Sequence, residues 1–188
     1  MDNIKEFSPL DHIHNLTGDA ERLIAAKEDF VAFIILALGT EFLGSFYDAD
    51  DFNKYGNSET RFKNALKNLF KNNWYNNNLT WMYEQFRGPL VHQYRMGPEI
   101  ALTSVCKNNA PLDHHLKIEG AKRIFVLEQY FADFKAAIKS LENLIKKKNN
   151  SLNKDKLEQE YMKIVQIEKD NKSYPASAVT QSIVIKKK

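Results

Sequence analysis

Arg87 and His92 stand five residues apart in YEQFRGPLVHQYRMG, residues 83–97, and form the pair in this chain best suited to chemistry on a phosphate. A guanidinium keeps its charge and offers a rigid fork of donors to phosphate or carboxylate oxygens. An imidazole gives and takes a proton near neutral pH. Glu41 is the one carboxylate in the apolar run Phe30–Phe46. A carboxylate in such a place needs a partner, and Arg87 is the partner expected. Gln93, Tyr94 and Arg95 follow the pair directly and are candidate supporting contacts. The chain holds no Gly-rich phosphate loop, no zinc ligand set, no paired carboxylates and no Ser-His-Asp signal. Cys106 is the single cysteine, which excludes an intrachain disulfide and a Cys-based zinc site. His12 and His14 do not share a helical face, and the adjacent His114 and His115 would face opposite ways in a strand. No metal and no cofactor is expected.

Helices must position the pair. Trp81, Met82, Phe86, Leu90, Val91 and Tyr94 keep the three-to-four residue beat of a helix with a buried stripe. Gly88-Pro89 interrupts it, because Pro89 has no N–H for the carbonyl of Gln85. The spacing predicts a kinked helix, or two half-helices with Pro89 opening the second. On a straight helix, residues five apart are rotated by about 140° and rise about 7.5 Å. A kink, or a second copy across a two-fold axis, is therefore needed to bring Arg87 and His92 into one cleft.

Phe30–Phe46 reads as a buried core helix, with Phe131 and Phe134 packed near it. Its 17 residues are short of a membrane span, which needs about 20, and a central carboxylate costs about 2.5–3.5 kcal/mol there. No membrane is expected. Glu59–Phe70 predicts an amphipathic helix whose polar face carries Arg61, Lys63, Lys67 and Lys71, candidate RNA-binding residues beside the cleft. Trp74 and Tyr75 read as core. Thr17-Gly18-Asp19 reads as a break that starts a new helix near Ala20. Ile100–Cys106 and His115–Glu119 predict a small hairpin, and Ala121–Lys148 a long closing helix.

The fold class is thus mainly α, a bundle of four to five helices with a small β-hairpin near residues 100–119. Charge divides the chain: residues 1–145 carry 16 Lys+Arg against 19 Asp+Glu, and 146–188 carry 11 Lys against 5 acids. That marks a domain over 1–149 and a lysine-rich appendage over 150–188, which should add little to the core apart from a possible strand at Gln181–Ile185. The polar start MDNIKEF has no signal-peptide pattern, so a cytoplasmic setting is expected.

Arg87-Gly-Pro-Leu-Val-His92 resembles the R-x(4–6)-H signature of the HEPN superfamily of small helical domains, and FRGPLVHQY is similar to the core of many bacterial members. In layout the resemblance covers roughly residues 29–143. It implies a homodimer of helical bundles and a metal-independent endoribonuclease, with Arg87 and His92 as catalytic residues. A 2′-OH would attack the adjacent phosphate, His92 would move protons, and Arg87 would neutralise charge on the phosphate. It also implies RNA or a nucleotide as ligand and a possible cognate antitoxin, since some members form toxin–antitoxin pairs. Active members commonly carry Asn or Asp straight after the arginine, where this chain has Gly88. That departure points to the alternative, a non-catalytic HEPN-like dimer that binds a nucleotide, RNA or a partner protein.

Overall fold

A computed structural model of the chain describes residues 9–52 and 54–153, together with the backbone of two short strands at 3–5 and 166–168. The fold is mainly helical, with a small three-stranded sheet. Helix α1 (Pro9–Ala25) opens on proline, whose missing N–H costs nothing at a first helical position. The break expected at Thr17–Asp19 does not occur. Thr17 Oγ1 donates to the Ile13 carbonyl at 2.8 Å and Asp19 pairs with Arg22, both contacts that a helix accommodates. The chain turns instead at Lys27, in the left-handed region at φ 61°.

Helix α2 (Asp29–Gly44) is the central element, with Ala32, Phe33, Leu36, Ala37 and Leu43 fully buried. It packs against α1, against α3 (Ser58–Asn68) and against α8 (Leu127–Lys146). The ring of Phe134 on α8 lies over Gly39, and Phe131 joins the same core, as the sequence predicted. The span Asp29–Tyr47 is long and apolar enough to cross a membrane by length and composition, and 56% of it is buried inside the fold.

The sheet differs from the predicted hairpin. Strand β2 (Ile100–Thr103) runs parallel to β4 (Lys122–Val126), with Ile100 opposite Arg123 and Thr103 opposite Val126. Strand β3 (Ile118–Glu119) joins β4 antiparallel from the other side. The two segments expected to pair with each other therefore flank a third. That third strand holds Ile124, Phe125 and Val126, a β-favouring run inside the stretch expected as the long helix, Ala121–Lys148. Gly120, at φ 59°, makes the turn that sends β4 back along β3. Val105–Cys106, expected to continue the first strand, turn into helix α7 (Val105–Asn108) because Ser104 caps it.

A separate pair is formed by β1 (Asn3–Lys5) and β5 (Gln166–Glu168), antiparallel. The expected strand at Gln181–Ile185 lies outside the described residues. The core reaches past Asn149: Leu152 is 2% exposed, and the Asn153 N–H donates to the Phe46 carbonyl at 2.9 Å.

Between α3 and the sheet come α4 (Asn73–Asn77) and α5 (Leu79–Met82), a π-helical turn over Tyr83–Arg87, and α6 (Gly88–Gln93). Tyr75 is buried and Trp74 half-buried, both in the core as expected. Phe86, in the π turn, stacks on Phe125 of β4 at 5.3 Å and meets Tyr130 of α8 edge-on at 5.0 Å. These contacts anchor the turn that carries Arg87.

Candidate functional site

The interruption at Gly88-Pro89 is resolved by a change of helix type. Over Tyr83–Arg87 the chain widens to π geometry, and the Gly88 N–H donates to the Tyr83 carbonyl five residues back. A Cβ at Gly88 would lie 3.1 Å from that oxygen, so glycine fits the turn most easily. Pro89 then opens α6. The Gln85 carbonyl, which Pro89 cannot serve, accepts the Gly97 N–H at 3.0 Å. Helix α6 ends at Tyr94, in the left-handed region at φ 50°.

Arg87 and His92 meet within one chain. Arg87 Nη1 lies 2.6 Å from His92 Nε2. Both Arg87 and Gly88 have right-handed helical dihedrals, so the chain passes from the π turn into α6 without a break, and the arginine side chain reaches His92. Arg87 is 3% exposed, whereas His92 is exposed. On its far side Arg87 Nη2 forms an ion pair with Glu41 Oε2, as the isolation of Glu41 in its apolar run predicted. That oxygen is close to Nη2 without being aligned as a hydrogen-bond acceptor. Arg87 Nε is buried with no hydrogen-bond partner among the described residues, and the guanidinium lies 5.7 Å from the centre of the Tyr83 ring. Arginine has only donors, so His92 Nε2 must accept from it. The imidazole is then neutral, with its proton on Nδ1.

The supporting residues divide. Gln93 and Arg95 are exposed and bond to each other. Tyr94 is 67% exposed and stands edge-on to Phe30 of α2 at 4.8 Å.

Arg61 is not part of a basic rim. It is 5% exposed, pairs with Asp48 through Nε at 2.6 Å, and donates to the Phe52 carbonyl at 2.8 Å and the Asp51 carbonyl at 2.7 Å. A guanidinium with five N–H groups can gather the acceptors of a polar loop, and here it ties residues 48–52 to α3. Lys63 is largely committed, to Glu59 at 2.5 Å and Thr80 Oγ1 at 2.9 Å. Lys67 and Lys71 are exposed.

A second polar cluster had no signal in the sequence, because its members are 40 and 58 residues apart. Tyr75 OH donates to Asp133 Oδ2 at 2.7 Å and lies 2.7 Å from His115 Nε2. His115 Nδ1 accepts the Val126 N–H at 3.0 Å, which places the imidazole proton on Nε2. Burial pushes His115 down to about 4 and, with the Asp133 carboxylate close by, pushes the Tyr75 hydroxyl far up. Burial also raises Asp133, against the lowering effect of its bonds from Tyr75 and Gln129. Among the described residues no group of three or more His, Cys, Asp or Glu is placed to hold a metal ion. A cavity of about 510 Å³, lined by Tyr47, Ala49 and residues 150–153, includes neither Arg87 nor His92.

No protein-family model, no curated protein and no solved structure matches the chain.

Proposed function

We propose that the chain is a HEPN-like helical bundle that acts as a metal-independent endoribonuclease through Arg87 and His92. The observation that carries the reading is the contact of Arg87 Nη1 with His92 Nε2 at 2.6 Å, within one chain and with Glu41 behind the guanidinium. In the reaction a ribose 2′-OH attacks the adjacent phosphorus, its proton passing to the imidazole. The 5′-oxygen leaves and takes up a proton, giving a 2′,3′-cyclic phosphate and a 5′-hydroxyl. Arg87 neutralises the charge that grows on the phosphate oxygens. Exposed Lys67 and Lys71 are the remaining candidates for backbone phosphates. The protein acts as a homodimer in this reading, and exposed Leu38, Tyr94 and Met96 supply apolar surface for a second copy. A cognate antitoxin rests on the resemblance.

The second reading is a non-catalytic dimer of the same fold, which binds RNA, a nucleotide or a partner protein. Gly88 favours it, because no polar side chain follows Arg87.

Incubation of the full chain with single-stranded RNA, with and without EDTA, tests both. The nuclease reading expects cleavage that EDTA leaves unchanged and that His92→Ala lowers by about 10²–10⁴-fold, the contribution of a general acid–base residue. His92 is exposed, so this variant tests chemistry without disturbing the core. RNA or nucleotide bound without cleavage selects the second reading. If neither occurs, both readings fall and the pair is structural.

A further inference from the structure

We propose that Arg87 is a latch on His92, closed in the free protein and opened by the phosphate of the substrate itself. The inference rests on the reading of Arg87 as the phosphate contact.

His92 Nε2 has one lone pair. It is occupied, because Arg87 has no acceptor and must donate across the 2.6 Å contact. The other ring nitrogen then carries the proton. With Nε2 engaged and Nδ1 protonated, neither nitrogen can take a proton from a ribose hydroxyl. His92 is thus correctly placed but unable to act as a base.

The guanidinium is held unevenly. On one side is the Glu41 carboxylate, a charged partner with low exposure of its own, 18%. On the other is the neutral imidazole. Arg87 Nε has no partner, so swinging the group breaks no hydrogen bond there. A phosphate oxygen that approaches the exposed ring competes for Nη1 against a neutral acceptor. An anionic phosphate oxygen adds the attraction of opposite charges to the guanidinium, which a neutral imidazole lacks. Phosphate therefore displaces His92 from Nη1 before it displaces Glu41 from Nη2, and Nε2 is released beside the phosphate that Arg87 has just bound. The base becomes available only when a phosphodiester is in place, and a nucleoside without phosphate leaves the latch closed.

The test is the imidazole ¹⁵N spectrum of the full chain, with the His92 signals assigned by their loss in His92→Gln. His115 is an internal standard, since its geometry fixes the opposite tautomer. In the free protein His92 is expected with its proton on Nδ1. Inorganic phosphate, or a uridine dinucleotide whose first ribose lacks the 2′-OH, should shift the His92 Nε2 signal and leave His115 unchanged. Uridine alone should shift neither signal. A ring that exchanges freely between tautomers in the free protein overturns the latch. So does phosphate that fails to bind, or that saturates the protein with Nε2 unmoved, the result expected if it replaces Glu41 instead. Nε2 movement without RNA cleavage keeps the latch and removes the nuclease. Cleavage with Nε2 unmoved keeps the nuclease and removes the latch.

Discussion

The backbone N–H of Gly97 donates to the Gln85 carbonyl at 3.0 Å, and so closes the gap that Pro89 opens in the motif helix. A Cβ on Gly97 would stand 2.5 Å from that oxygen and 2.7 Å from the Gln85 Cα, and no backbone atom can yield so far without moving the turn. Gly97→Ala should therefore destabilise the protein by roughly 1–3 kcal/mol, the range of overpacking in a fitted site. Urea denaturation measures it. An unchanged midpoint would mean that the Gly97 loop is free to move away.

Glu41 and Arg87 form a buried ion pair, and removing one member strands the other. Glu41→Ala should cost about 3–5 kcal/mol. The double replacement Glu41→Leu with Arg87→Met should recover most of that loss, because apolar side chains of similar size carry no stranded charge. A double-mutant cycle on unfolding free energies decides it. Simple addition of the two single losses would show that the pair is not coupled.

Stability should fall in acid through His115. Its folded value is depressed to about 4, below the ordinary 6.5. The neutral ring is the form that accepts the Val126 N–H and bonds to Tyr75. The unfolded chain takes up a proton first, so this contribution is complete above pH 6.5 and is lost as the pH falls to about 4, by on the order of 3 kcal/mol. Asp133 works the other way. Its raised value favours the native state at low pH, and that contribution is lost as pH rises through it. His115→Gln should flatten the slope between pH 6.5 and 4 in a series of urea melts. A slope equal to that of the unaltered chain would place the acid sensitivity elsewhere.

Leu152 belongs to the core although it lies in the lysine-rich end of the chain. Leu152→Ala should cost about 2–5 kcal/mol, as expected for a leucine with 2% exposure. Truncation after residue 150 should cost at least as much, because it also removes the Asn153 N–H bonded to Phe46. A truncated chain with an unchanged melting temperature would show that the seat of Leu152 is refilled.

The parts of the fold legible in the sequence are those with short-range causes. Helix α2 announced itself by an unbroken apolar run, and Glu41 was conspicuous as the one charge inside it. Proline fixed where the motif helix had to change. The remaining features depend on partners far along the chain. Periodicity put Arg61 on the wet face of α3, but the loop at 48–52 offers enough oxygens to draw it inward. Strand β4 sits next to a helix with a similar apolar content, and only pairing with β2, about twenty residues earlier, separates strand from helix. His115 gave no sign of its role, since Tyr75 and Asp133 reach it only through tertiary packing.

The π-helical turn has a consequence for descent. A π turn holds one residue more than the α turn it replaces, so inserting one residue into a plain helix would produce it. Deleting a residue within Tyr83–Arg87 would restore a plain helix and leave α5 and α6 in phase, because the wide turn absorbs the extra residue. Trp81 and Met82 would keep the same face toward the core, and the spacing from Arg87 to His92 would stay the same. Relatives that lack the turn should therefore align with a single gap ahead of the arginine and none between it and the histidine.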